Sequence, residues 1–83
     1  MGDVRFSLCM IVKNEEAVLK DCLDSLQALM DEIIIVDTGS TDRTKEIAAQ
    51  YTDKIYDFQW CNDFSAARNF AFSKASMPYI YTA

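Results

Sequence analysis

The stretch DEIIIVDTGSTDRT, residues 31–44, decides the fold class of this chain. Its β-branched run, residues 33–36, is typical of a strand that is covered on both faces. The run ends in a carboxylate, Asp37, and a Thr-Gly-Ser turn leads into the start of a helix. A buried strand that ends in a carboxylate before a helix predicts an α/β protein with a polar site at the end of the strand.

The same strand–turn–helix order recurs on both sides of this stretch. Apolar runs predict strands, and apolar residues spaced by three and four predict helices. The predicted strands cover residues 6–12, 32–36, 54–58 and 79–82. The predicted helices cover residues 15–29, a segment capped by Ser40, Thr41 or Asp42, and residues 63–75. This alternation predicts one α/β domain with a mostly parallel sheet, and the alternating third strand is typical of a sheet edge.

Composition excludes several classes of function. The net charge is −5 with a pI of about 4.4, and no basic run is present, so nucleic acid is not an expected partner. The chain has no histidine, which excludes histidine triads and histidine zinc sites. Cys9 and Cys22 lie in apolar patterns and are predicted to be small buried hydrophobes of a cytosolic protein. No apolar run approaches the roughly 20 residues of a membrane span.

In parallel sheets, ligands bind beyond the carboxyl ends of the strands. Asp37 stands there, and it has two open interpretations: it caps its own turn, or it accepts a hydrogen bond from a ligand. Lys13, Asn14 and Glu15 follow the first strand at the same edge. They are either ordinary capping residues, with Asn14 as the N-cap of the first helix, or part of an anion or sugar site.

Arg68 is the unusual charge of the third helix, because it falls on the apolar stripe predicted for Phe64, Ala67 and Ala71. A charge on such a stripe pairs with a carboxylate, extends to solvent or meets a ligand. Trp60 and Phe64 form a stacking surface for a ligand, or they pack in the core as aromatic residues more commonly do.

Four segments together resemble one family. They are SLCMIVKNEE (7–16), CLDSL (22–26), DEIIIVDTGSTDRT (31–44) and NDFSAARNFA (62–71). The chain resembles the family 2 glycosyltransferases, which are inverting enzymes of GT-A fold, and its KNEE and VDTGSTD versions are similar to a bacterial branch that glycosylates cell-surface polysaccharides or peptides. The resemblance implies a three-layer α/β/α, Rossmann-like half of the GT-A fold, with strand order 3-2-1-4.

The resemblance also assigns residues to a nucleotide-sugar donor. It implies that the loop after the first strand and the end of the second strand hold the nucleoside, and that the arginine of the third helix lies near the nucleotide. Thr38 stands where many members carry a second aspartate that contacts the base. The implied donor-binding residues are Val12, Asn14, Glu15, Asp37, Thr38 and Arg68.

The remaining expectations concern the whole enzyme. The resemblance implies a nucleotide-diphosphate sugar, expected to be UDP-linked, an unidentified acceptor, and Mg²⁺ or Mn²⁺ held by an Asp-x-Asp motif directly after the fourth strand. The sequence reaches Ala83 about where that motif begins, so we expect a truncated nucleotide-sugar-binding domain, residues 1–83, without metal ligands, catalytic residues or activity of its own. We expect the whole enzyme in the cytoplasm or at the inner face of the membrane, and we expect residues 1–83 to self-associate.

Two alternatives to this function remain open on the sequence. The first is a non-catalytic α/β module that binds a nucleotide or a partner protein. The second is a receiver-like or flavodoxin-like domain, although the lysine that a receiver carries after its last strand is not visible.

Overall fold

The computed structural model describes residues 5–59, 63–77 and 79–82. Strands and helices alternate along the chain. The strands are β1 (Phe6–Val12), β2 (Glu32–Asp37), β3 (Ile55–Asp57) and β4 (Tyr79–Thr82). The helices are α1 (Leu19–Leu26), α2 (Thr44–Ala48) and α3 (Phe64–Lys74), and a 3₁₀ turn, Gln27–Leu29, extends α1.

The four strands form one sheet in the order β3-β2-β1-β4, and all three neighbouring pairs are parallel. The predicted order 3-2-1-4 is confirmed, and β3 lies at the sheet edge that its alternating pattern predicts. Asp37 pairs in register with Val12 on one side and with Asp57 on the other. The polar residue that ends β2 therefore lies in the middle of the carboxyl edge of the sheet.

Both faces of the sheet are covered, which gives the three predicted layers. Ile33 and Ile35 of β2 pack in a cluster with Leu19, Leu23 and Ala48 of the first two helices. Their neighbours Ile34 and Val36 face the opposite side and pack with Ala71 of α3. Because residues on both sides of β2 are buried, the strand is a continuous apolar run without alternation. The predicted burial of Cys9 is confirmed, and Cys22 is half-buried against the first cluster.

The first helix is shorter than the predicted 15–29, and Asn14 is not its N-cap. Helix α1 begins at Leu19 with Val18 at the N-cap position, whereas Asn14 has a left-handed backbone with φ of 53°. The polar residues before α1 form a loop, because their amides bond to side chains of the loop after β2, as shown below. The N-cap position of the second helix is Arg43, which makes no side-chain cap bond, so none of the three predicted caps occupies it. Asp42, one residue earlier, still accepts a hydrogen bond from the Thr44 N–H through its Oδ1 at 3.0 Å.

Helix α3 matches the predicted segment, but the prediction that Phe64 lies on its inner stripe is wrong. Asp63 caps the helix by accepting a hydrogen bond from the Ala66 N–H at 3.2 Å. Ala67 and Ala71 are buried against the sheet, whereas Phe64 is 50% exposed. The small alanines let the helix approach the sheet closely and leave Phe64 at its outer margin. The prediction for Trp60 lies outside the described residues.

The described helices also bear on membrane insertion. Among residues 5–59, 63–77 and 79–82, no helix has the length and apolar character that crossing a membrane requires.

Candidate functional site

Asp37 closes the turn that follows β2. Its Oδ1 accepts hydrogen bonds from the Gly39 N–H and the Ser40 N–H, both at 2.8 Å. The turn requires glycine at position 39, where φ is 109° and side chains are rarely tolerated. The capping interpretation of Asp37 is therefore correct for one of its two carboxylate oxygens.

The other oxygen of Asp37 has no such role. Asp37 is 2% exposed, and its Oδ2 is buried without a hydrogen-bond partner among the described residues. A buried polar atom that lacks a partner destabilises the fold by about 1–3 kcal/mol, and by more when it carries charge. Oδ2 is thus an acceptor at this edge that the described residues leave without a donor.

Asp37 lines an open cleft between the ends of β2 and β3. The cleft has a volume of about 350 Å³, and its walls are Asp37, Thr38, Gly39, Asp57, Phe58 and Gln59. An ion pair flanks it, with Lys45 Nζ of α2 lying 2.7 Å from Asp57 Oδ1. The hydrogen bond to Asp57 raises the pKa of Lys45, and the charge of Asp37 adds to this effect. The carboxylates of this edge therefore have a cation beside them.

A second cleft lies on the β1 side of Asp37. It has a volume of about 240 Å³, and it is lined by Ile11, Val12, Lys13, Glu15, Thr38 and Phe64. Thr38 is fixed here, because its N–H and its hydroxyl both donate to the Val12 carbonyl oxygen, at 3.0 and 3.1 Å. The structure thus brings together three residues that the sequence assigned to the donor site, Val12, Glu15 and Thr38.

Asn14 lies beside this cleft but bonds to the neighbouring loop. Its backbone N–H donates to Ser40 Oγ at 2.9 Å, and its Oδ1 accepts from the Thr41 N–H at 2.8 Å. The side-chain oxygen that would contact a nucleoside is therefore engaged within the protein. A direct contact of Asn14 with the nucleotide stays a prediction.

Arg68 lies beside Phe64 and does not line this second cleft. Its guanidinium carbon is 5.1 Å from the centre of the Phe64 ring, and its side chain is exposed. It lines a third cleft of about 180 Å³ with Cys9, Ile11, Phe64, Ala71, Phe72 and Thr82. Within the part of the chain that the structure describes, Arg68 forms no ion pair with a carboxylate. Phe64 and Ile11 line both the second and the third cleft, and Arg68 lines only the third.

Sequence reasoning missed the residues that hold the two loops together. Thr44 is fully buried at the start of α2, and its hydroxyl accepts a hydrogen bond from the Glu15 N–H at 2.8 Å. The TGSTDRT segment indicates local capping only. Its partners lie more than 25 residues earlier in the chain, and no local pattern identifies such partners.

Comparisons with known proteins agree with this geometry. The family model described as Glycosyl transferase family 2 matches residues 7–83. Glycosyltransferase SunS of Bacillus subtilis is 40% identical over 73 residues, which cover 86% of this chain and 17% of SunS. The lipopolysaccharide core biosynthesis glycosyltransferase LpsC of Rhizobium meliloti is 32% identical over 80 residues, covering 92% of this chain and 28% of LpsC.

Two further proteins are similar to this chain, one in sequence and one in fold. A TPR repeat-containing protein of Synechococcus elongatus is 47% identical over 74 residues, covering 89% of this chain and 18% of the relative. The structure of glucosyl-3-phosphoglycerate synthase from Mycobacterium tuberculosis, in complex with Mn²⁺, UDP and glucosyl-3-phosphoglycerate, has a TM-score of 0.81 at 22% identity, over 96% of this chain and 33% of that one. That likeness shows the fold. The chain spans less than a third of each of these curated relatives, and it belongs to glycosyl transferase family 2.

Proposed function

We propose that this chain binds the nucleoside part of a nucleotide-sugar donor, and that the whole protein transfers the sugar to an acceptor with inversion at the anomeric carbon. The observation that carries the proposal is the buried, unpartnered Oδ2 of Asp37 at the carboxyl edge of the sheet. An acceptor atom in this position suits a ribose hydroxyl or a base N–H. A hydrogen bond from such a group removes the penalty of burying Oδ2 without a partner.

The neighbouring clefts suit the remaining parts of a donor. Glu15 and Thr38 line the cleft beside β1, and Phe64 offers an exposed aromatic ring at its wall. Arg68 lies beyond that ring as a cation for a diphosphate. One solved structure of the M. tuberculosis synthase contains UDP with Mn²⁺, and another contains UDP-glucose with Mn²⁺. On this support we propose a UDP-linked donor.

A divalent metal and the chemical step are not assigned to these residues. Among the described residues, no group of three or more Cys, Asp and Glu side chains could hold a metal ion. The Mg²⁺ or Mn²⁺ of the proposed enzyme is therefore expected to take its ligands from outside the described residues. Lack of transferase activity in residues 1–83 alone, and a cytoplasmic or inner-membrane location of the whole enzyme, stay predictions.

The proposal is tested by titrating UDP into wild type, Asp37→Asn and Asp37→Ala in a calorimeter. In Asp37→Asn the amide oxygen still accepts from Gly39 and Ser40, and an NH₂ donor replaces Oδ2. We expect UDP affinity to fall at least about tenfold, which corresponds to roughly 1.4 kcal/mol. The matched control is Asp53→Asn, which changes an exposed carboxylate just before β3, at the amino edge of the sheet. This variant should leave UDP affinity unchanged.

Two results would contradict the proposal in different ways. Wild-type affinity in both Asp37 variants would exclude Asp37 as the ligand acceptor. Absence of binding of UDP, GDP and ADP by the wild-type chain would exclude the donor function and favour a module that binds a partner protein.

A further inference from the structure

We propose that Thr44 is a positioning residue for the nucleotide cleft: its hydroxyl fixes the peptide of Glu15 and so holds the loop after β1 in its binding shape. This inference rests on the proposed donor function. It assigns a role in that site to a residue that lines none of its clefts.

The hydroxyl of Thr44 is oriented from both sides. Thr44 is fully buried, and its Oγ1 donates to Asp42 Oδ1 while it accepts from the Glu15 N–H at 2.8 Å. A hydroxyl has a single hydrogen to donate, so the bond to Asp42 leaves a lone pair directed at Glu15. The hydrogen bond from Thr44 lowers the pKa of Asp42, which keeps this carboxylate ionised as the acceptor.

Both backbone polar groups of Glu15 have partners within the protein. Its N–H bonds to Thr44, and its carbonyl oxygen accepts from the Val18 N–H at 3.1 Å and the Leu19 N–H at 2.8 Å. The loop is thus fixed between the start of α1 and the start of α2. The side chain of Glu15 leaves this peptide and lines the cleft beside Thr38.

Besides the bond from the Thr41 N–H to Asn14 Oδ1, other contacts make the same connection between the loops. The Glu16 N–H donates to Asp42 Oδ2 at 3.3 Å, and the Asn14 N–H donates to Ser40 Oγ at 2.9 Å. Thr44 differs from these contacts in being fully buried, so water cannot replace its hydroxyl easily. Loss of that hydroxyl leaves the Glu15 N–H without its acceptor, and the loop must shift to find another.

The chain offers a matched control at the opposite edge of the sheet. Thr52 Oγ1 donates to the Ile33 carbonyl oxygen at 2.8 Å and accepts from the Lys54 N–H at 3.0 Å. Thr52 therefore ties a loop to β2 as Thr44 ties one loop to another, but at the amino end of β2 and outside the three clefts of the candidate site. Thr44→Val and Thr52→Val both replace a bridging hydroxyl by a methyl group of the same shape.

The test compares wild type, Thr44→Val, Thr44→Ser and Thr52→Val. UDP affinity is measured by calorimetry, stability by urea unfolding, and exchange of the Glu15 amide hydrogen by NMR. We expect Thr44→Val to weaken UDP binding about tenfold and to accelerate exchange at Glu15, because one hydrogen bond to the loop is lost. Thr44→Ser retains the hydroxyl and should restore both values. Thr52→Val should lower stability without changing UDP affinity.

Asp42→Ala removes the carboxylate that orients the Thr44 hydroxyl. Asp42 is only half-buried, so this variant tests the same interaction even if Thr44→Val does not fold. Wild-type affinity in both Thr44→Val and Asp42→Ala would overturn the inference and leave the donor function standing. An equal loss of affinity in Thr52→Val would also overturn it, since the effect would then follow stability alone. Failure of the wild-type chain to bind UDP would overturn the donor function first, and with it any role of Thr44 in nucleotide binding.

Discussion

The guanidinium group of Arg68 lies over the ring of Phe64, one helical turn earlier in α3, with 5.1 Å between the guanidinium carbon and the ring centre. A cation over an aromatic face at an exposed site contributes about 0.5–1 kcal/mol. The Arg68 side chain is exposed, so its charge stays in solvent although Ala67 and Ala71 of the same helix are buried. The contact with Phe64 keeps the guanidinium beside the third cleft, with hydrogen-bond donors available for a ligand.

We predict that Arg68→Met weakens binding of UDP about tenfold, because a positive charge near the diphosphate is lost. Methionine retains an apolar side chain over Phe64, so the fold should be unaffected. Uridine, which has no phosphate, should bind wild type and Arg68→Met equally well. Calorimetric titrations with both ligands at two salt concentrations measure the difference. Equal losses for UDP and uridine would contradict an electrostatic role of Arg68.

The order of the elements was predictable from the sequence, because burial on both faces of the sheet produces uniform apolar runs such as residues 33–36. The strand order was predictable only from the family resemblance. The start of the first helix was not predictable. Asn14, Glu15 and Glu16 have the composition of a helix N-terminus, but their amides bond to Ser40, Thr44 and Asp42. Contacts between distant loops overrode the local propensity.

The candidate site was predictable only in part, because the local sequence does not show how side chains pack against distant segments. The position of Asp37 at the end of a parallel strand places it at the carboxyl edge, and the structure adds that its two oxygens have different surroundings. Phe64 was assigned to the inner stripe from its spacing, yet it lies at the margin of α3 as a cleft wall. Helical spacing identifies a face, and it does not show how far along the helix the sheet extends.

Glu32 provides a second prediction, on stability. Its side chain is 2% exposed and is ion-paired with Lys54. It also accepts hydrogen bonds from Ser7 Oγ at 2.7 Å, the Ser76 N–H at 2.9 Å and Ser76 Oγ at 2.8 Å. We expect Glu32→Gln to lower the free energy of unfolding by about 1–3 kcal/mol, because Lys54, Ser76 and the buried Ser7 lose a charged acceptor. Urea unfolding measures this, and Glu46→Gln, in an exposed ion pair with Arg43, should change it by less than about 0.5 kcal/mol.

The same carboxylate predicts a pH dependence of stability. Burial raises the pKa of Glu32, but hydrogen bonds from Lys54 and the two serines outweigh burial and lower it to about 2 from an ordinary 4.5. A lowered pKa means that the stabilisation is complete above pH 4.5 and is lost as the pH falls towards 2. Urea unfolding at several pH values should show this loss in wild type. Glu32→Gln should show a weaker dependence, and identical pH profiles for the two proteins would contradict the assignment.

The edge strand β4 is expected to cause self-association of the chain. Tyr79, Ile80 and Tyr81 are exposed, and β4 pairs with β1 on one side only within the described sheet. An exposed apolar edge strand tends to pair with another chain. We expect concentration-dependent dimerisation of residues 1–83 in analytical ultracentrifugation, and Ile80→Lys should abolish it. A wild-type chain that remains monomeric at millimolar concentration would contradict this prediction.

The hydrogen bonds between residues 14–16 and residues 40–44 make the two loops depend on each other, which matters for protein engineering and for evolution. Neither segment holds its shape through its own bonds alone. A designer who transplants the turn after β2 into another α/β sheet must therefore transplant the loop after β1 as well. Natural variants face the same restriction: a substitution in one segment that removes a cross-loop partner is expected to persist only alongside a compensating change in the other. The two segments are thus expected to change together in evolution.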